Sequence, residues 1–165
     1  MNSSLLHSAF ELPTDHGRSI RADVRWCPAD APRPLVVICH GFKGFKEWGF
    51  HPYFGAELAH AGFVAVSVNF SHNGVGADLM SFTDREGFRA NTISREAEEL
   101  ERVLDFAHDS NHWLSRLVDT RNIGLIGHSR AGYAVFTVGS RREDVGAIAG
   151  LAAVSELNVE PEREK

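Results

Sequence analysis

The sequence predicts an α/β fold: a mostly parallel sheet flanked by helices and opened by an antiparallel hairpin. Three observations carry this. Leu35–Cys39, Phe63–Val68 and Ile123–Ile126 are short, continuous apolar runs, as strands covered on both faces require. Helical patterns separate them, which implies crossovers and parallel pairing. Ile20–Trp26 instead alternates apolar and polar residues, the signature of a half-buried strand.

In chain order, Ala9–Leu12 reads as a first short strand and Thr14-Asp15-His16-Gly17 as a turn, since Asp and Gly tolerate turn conformations. With Ile20–Trp26 they form the hairpin. Three prolines between Pro28 and Pro34 interrupt the pattern. The strand Leu35–Cys39 runs into a glycine-rich segment, His40–Gly49. A helix is expected over Pro52–Ala61, with Phe54, Leu58 and Ala61 on one face and Gly62 as its stop. Residues 71–90 show no period and read as a long functional or partly helical loop. From Thr92 a helix carries Ile93, Ala97, Leu100, Leu104 and Ala107 in steps of four and three. Its other face (Arg95, Glu98, Glu99, Glu101, Arg102, Asp105) is expected in solvent. After Ile123–Ile126 comes a helix through about Val138, and Val145–Val154 reads as a further strand. The partition is one domain over 1–155 and a charged tail over 156–165.

Of the 165 residues, 43% are hydrophobic and 24% charged, with a net charge of −5. That is a globular composition, and its mild acidity offers no attraction to nucleic acid or anionic membrane. The amino terminus shows no signal-peptide pattern and no apolar run reaches membrane-spanning length, so a cytoplasmic protein is expected. The two cysteines, Cys27 and Cys39, read as reduced, buried small hydrophobes.

The chemistry concentrates in Gly127-His128-Ser129-Arg130-Ala131-Gly132. A serine on a sharp strand-to-helix turn needs small residues two before and two after it, here Gly127 and Ala131. The helix that follows favours developing negative charge at its amino end. The amide of Arg130 is then one candidate oxyanion donor. A second motif, His40-Gly41-Phe42, ends the strand Leu35–Cys39, which this fold sets beside the turn. Gly41 allows close backbone approach, and the amide of Phe42 is the other candidate donor.

These segments, together with Phe45, Trp48 and Asn69–Gly76, resemble the α/β-hydrolase superfamily. The branch is that of the dienelactone-hydrolase-like and prolyl-oligopeptidase-like serine hydrolases, over about residues 8–155. The resemblance implies Ser129 as nucleophile, Phe42 and Arg130 as oxyanion donors, and Phe42, Phe45 and Trp48 around a small-molecule acyl substrate. His40, Gly41, Gly127, His128, Ala131 and Gly132 would support the motifs, with no cofactor. In such hydrolases the acid and histidine follow the nucleophile, yet no histidine follows His128. The expectation is therefore the amino-terminal half of the fold, truncated after the strand that follows the nucleophile's helix. An unfinished sheet edge would invite self-association. His72, oriented by Asp78 or Asp84, is the internal candidate for a base; another chain is the alternative source. The rival reading is a non-catalytic half-domain, pseudoenzyme or remnant that binds or assembles.

His108 and His112 stand four apart, but Asp109 occupies the glutamate position of H-E-x-x-H, so no metal is expected. Lys43 and Lys46 flank the glycine loop without a phosphate-binding motif and are expected in solvent.

Overall fold

A computed structural model describes residues 4–154; the tail over 156–165 lies outside them. Eight elements carry the architecture to the candidate nucleophile: β1 (Leu6–Pro13), β2 (Ser19–Trp26), β3 (Arg33–Cys39), α1 (His51–His60), β4 (Val64–Asn69), α2 (Arg85–Arg89), α3 (Ile93–His108) and β5 (Val118–His128). A short 3-10 turn, Trp113–Arg116, precedes β5, and α4 (Ala131–Gly139) and β6 (Val145–Leu151) follow it. One six-stranded sheet has the order β1-β2-β4-β3-β5-β6. The hairpin β1–β2 is antiparallel, and β2 pairs antiparallel with β4. The pairs β3–β4, β3–β5 and β5–β6 are parallel.

The continuous apolar runs serve two faces at once, because successive strand residues point to opposite sides. Leu35, Val37, Cys39, Val64, Val66 and Val68 join Leu100, Leu104, Val135 and Val138 in a core beneath α3 and α4. Val36, Ile38 and Ala65 point the other way, toward Phe54 and Leu58 of α1.

That second face is thinly covered. The expected face of α1 is displaced: His51, Gly55 and Ala59 are its buried residues, while Phe54 and Leu58 are only partly buried. Its packing runs instead along Gly55, where an added Cβ would lie at ordinary contact distance, 3.5 Å, from Arg25 Cδ and Ser67 Oγ. Helix α1 thereby leans onto β2 and β4 and leaves β5 and β6 open. An apolar groove of about 480 Å³ runs there, lined by Val36, Phe63, Gly124, Ile126, Ala147 and Ala149 among others. The α1 terminus is as expected: Gly62 has φ +95°, its N–H bonds to Ala59 O, and Phe63 N–H to Leu58 O, a Schellman closure.

Helix α3 begins where expected, with the Thr92 hydroxyl accepting from Arg95 N–H at 3.2 Å. Its polar face departs from expectation. Glu99 is 2% exposed and Glu96 4%. Both lie beside the Leu100–Val103–Ala107 stripe and turn toward loops at the carboxyl edge of the sheet. The 71–90 segment is partly helical, as expected: it contains α2 and an isolated bridge, Val75–Phe82. Asp84 caps α2 by accepting from Gly87 N–H and pairs with Arg18, which ties the segment to the hairpin. Cys39 is buried, whereas Cys27 is half-buried, with Sγ 3.5 Å from His60 Nδ1.

In β6, Gly146, Ala147, Ala149 and Gly150 are exposed. Among the described residues β6 pairs with β5 alone. An open apolar edge of this kind promotes strand pairing between molecules. We expect light scattering to show the isolated chain self-associating as concentration rises, and Ala149→Lys to shift it toward monomer.

Candidate functional site

The site is built where β3 and β5 end side by side, with Cys39 in register with Gly127. The chain then turns sharply at Ser129, which has φ +52°, a left-handed conformation that non-glycine residues rarely adopt. Three backbone bonds hold it there. Ser129 N–H donates to Leu151 O at 2.8 Å, and Ser129 O accepts from Gly132 N–H (3.0 Å) and Val154 N–H (3.3 Å). The small neighbours are sterically required. A Cβ on Gly127 would lie 2.6 Å from Ala131 O and Val135 Cγ2, and one on Gly132 would lie 2.4 Å from Ala153 Cβ. Gly41 faces the turn from the other strand, where a Cβ would be 3.0 Å from both His128 O and Ser129 Cβ.

The loop after β3 is held as firmly. Gly44 N–H closes a turn onto Gly41 O at 2.9 Å, with Lys43 in the left-handed region (φ +56°). Lys46 corrects an expectation: it is 6% exposed rather than solvated. Its Nζ donates to Asp23 Oδ2 at 2.6 Å, and its amide donates to Asn69 Oδ1 at 2.6 Å. Asp23 is 3% exposed, and Arg25 and Glu47 complete the network, paired at 3.1 Å. Burial raises the Asp23 carboxyl, but its contacts with Glu47 and the Lys46 ammonium outweigh that and lower it. Alternation in β2 gave no sign of this, because the partner of Asp23 is twenty-three residues away. Lys43, in contrast, is exposed, with Nζ 5.8 Å from the Phe42 ring centre.

The histidines separate by role. His40 is buried, with Nδ1 2.9 Å from Gly41 O and Nε2 accepting from Phe70 N–H at 3.4 Å. Burial pushes its pKa down to about 4, so it is neutral and supports the loop, with Nδ1–H donating to Gly41 O. The His128 ring packs edge-on against Phe50 at 5.5 Å and against His51 at 6.0 Å. His72 is 4% exposed, with Nδ1 2.6 Å from Ser71 Oγ. The Ser71 hydroxyl donates to Glu99 Oε1, and the Ser71 amide donates to Glu99 Oε2 at 2.7 Å. Burial, then the Arg95 and Arg18 cations, lower His72 to about 4. Neither expected orienter serves it: Asp84 is engaged by Arg18 and Gly87, and Asp78 accepts from Met80 and Ser81 amides. The carboxylate behind His72 is Glu99, one the sequence pattern assigned to solvent. Because the Ser71 hydroxyl donates to Glu99, it accepts from His72 Nδ1–H, and Nε2 is left as the ring's acceptor.

Around the turn, Phe42 is 57% exposed and Trp48 50%, and Phe45 is half-buried. Phe42 packs at a tilt against Phe88, ring centres 5.1 Å apart, and Phe88 meets Phe82 edge-on at 4.8 Å. These two aromatic residues of the 71–90 segment were not singled out from the sequence; their only signal was two phenylalanines in an otherwise polar stretch. Arg130 lies 5.9 Å from the Phe42 ring centre and forms an ion pair with Glu96, Nε to Oε2 3.3 Å. His108 pairs with Asp144 at 2.8 Å, and His112 accepts from Leu114 N–H. No metal-binding group of three or more side chains occurs among the described residues.

No family model matches the chain. An uncharacterised 31.7 kDa protein from the traX-finO intergenic region of Escherichia coli is 26% identical over 149 residues, which is 88% of this chain and 47% of that protein. The chain thus spans about half the length of the curated relatives it matches. Among solved structures, a ferulic acid esterase of Streptomyces cinnamoneus aligns with a TM-score of 0.69 and 16% identity, covering 88% of this chain and 58% of that one. A dienelactone hydrolase-like promiscuous phosphotriesterase from metagenomic libraries aligns with a TM-score of 0.68 and 18% identity, covering 93% and 62%. The fold of this chain is that of the α/β-hydrolase superfamily, with dienelactone-hydrolase-like proteins among its structural neighbours.

Two outcomes follow from this geometry. His40 has its pKa depressed from about 6.5 to about 4 on folding. Between those values the unfolded chain binds more protons, so stability is full above about pH 6.5 and falls toward pH 4. We expect urea midpoints to show this loss and His40→Gln to reduce it, with His72, also lowered to about 4, contributing to the remainder. Lys46→Met leaves Asp23 buried without its closest cation. We expect a loss of roughly 3 kcal/mol in urea unfolding, against under about 0.5 kcal/mol for the exposed Lys43→Met.

Proposed function

We propose that the chain carries the nucleophile half of a serine hydrolase that cleaves a carboxylic ester or related acyl substrate without a cofactor. The observation that carries this is Ser129 in a left-handed conformation between β5 and α4, with Gly41 packed against it. In this reading Ser129 Oγ attacks the substrate carbonyl, and the amides of Phe42 and Arg130 hold the developing oxyanion. The leaving alcohol departs with a proton, and water then releases the acyl group from Ser129. Phe42, Phe45 and Trp48 offer the apolar surface for the acyl chain. We also propose a cytoplasmic location; no helix among the described residues is long and apolar enough to cross a membrane.

A serine hydroxyl needs a general base. We propose His72, whose Nδ1 is backed by Ser71 and Glu99, as the base within this chain. The relatives are about twice as long, and no histidine follows His128 in this chain. The same observation favours a second reading, a non-catalytic half-domain that binds or assembles. In well-studied triads, loss of a member leaves only about 10³–10⁴-fold catalysis over water.

A fluorophosphonate probe on the purified chain, read by intact mass with Ser129→Ala as control, decides between them. Stoichiometric labelling that Ser129→Ala abolishes is expected if Ser129 is activated. Absence of an adduct on a folded protein would select the half-domain.

A further inference from the structure

The hydrolase reading gives a role to Ser129 and to two amides, and none to the buried carboxylate of Glu96. At 4% exposure a carboxylate costs several kcal/mol unless it is paired, so its partners show what it secures. One is Asn91, whose Nδ2 donates to Oε1 at 2.7 Å. The other is Arg130, in an ion pair with Nε 3.3 Å from Oε2 that is not aligned as a hydrogen bond. Arg130 directly follows Ser129, and its guanidinium lies 5.9 Å from the ring centre of Phe42. One side chain therefore reaches from a carboxylate fixed on α3 to the residue at the tip of the β3 loop. Phe42 is otherwise more than half exposed, with Phe88 and Lys43 as its further neighbours.

We propose that Glu96 is a positioning residue: through Arg130 it ties Phe42 to the Ser129 turn and so fixes the spacing of the two oxyanion amides. This rests on the hydrolase reading for what the amides do, though not for the tie itself. The carboxylate one turn further on, Glu99, serves a different place. It bonds the Ser71 amide and hydroxyl and supplies a control of equal burial on the same helix.

The test uses the full chain with Glu96→Gln, Arg130→Met and Glu99→Gln, each checked for folding by circular dichroism. Backbone amide resonances of Phe42 and Arg130 are followed by NMR. Fluorophosphonate labelling of Ser129 is resolved into the probe's binding constant and its maximal rate. Glu96→Gln is expected to move the Phe42 amide, with Arg130→Met moving it alike and Glu99→Gln leaving it in place. The maximal labelling rate is expected to fall about tenfold or more in Glu96→Gln with probe binding unchanged, since misplaced donors weaken the transition state selectively. If Glu96→Gln does not fold, Arg130→Met decides. A Phe42 amide that stays put in the folded variants overturns the tie. Wild-type chain that takes no label overturns the hydrolase reading while the amide shifts still report on the tie.

Discussion

The carboxyl edge of this sheet depends on one close approach, that of Gly41 to Ser129. Parallel pairing brings Cys39 level with Gly127, so the loops that leave β3 and β5 must pass each other within van der Waals contact. A Cβ on Gly41 would sit 3.0 Å from the Ser129 side chain, so any other residue there would push the turn back by a few tenths of an ångström. The left-handed turn at Ser129 requires its own relief at Gly127 and Gly132. Close packing of this kind cannot be made by apolar burial alone, because burial is non-directional; it needs missing side chains at particular positions.

Fixing those loops falls to buried charges. Asp23 and Lys46 bind the β3 loop to the hairpin, Glu96 holds the residue after Ser129, and Glu99 holds the loop after β4. Replacing such pairs by apolar residues of similar volume is often neutral or stabilising, so stability alone does not account for them. For Asp23 and Glu99 directionality does: their carboxylates accept from a chosen ammonium or amide, and an apolar contact does not choose. The core beneath α3 and α4 supplies the burial, and the ionic contacts supply the registration of loops on top of it.

The elements were largely legible because their patterns are local. The strands Leu35–Cys39 and Ile123–Ile126 and the stripe from Ala97 to Ala107 each report their own covering within a few residues. Phe54 and Leu58 misled, since apolar spacing says which face of α1 is greasy and not which face meets the sheet. The face that meets the sheet is the one carrying His51, Gly55 and Ala59. Glu99 and Lys46 misled for a related reason. A charge in an amphipathic pattern reads as solvent-facing unless its partner is known, and Ser71 and Asp23 lie far along the chain.

The sequence by itself determined the α/β alternation, the place of the Ser129 turn and the need for small residues around it, because strand period, helix period and steric exclusion act over a few residues. Only the tertiary structure decided what His72 does, which carboxylates are buried, and which side chain spans Glu96 and Phe42. Those outcomes depend on which groups folding brings within about 4 Å while removing them from water, where an ionic or hydrogen-bonded partner matters most.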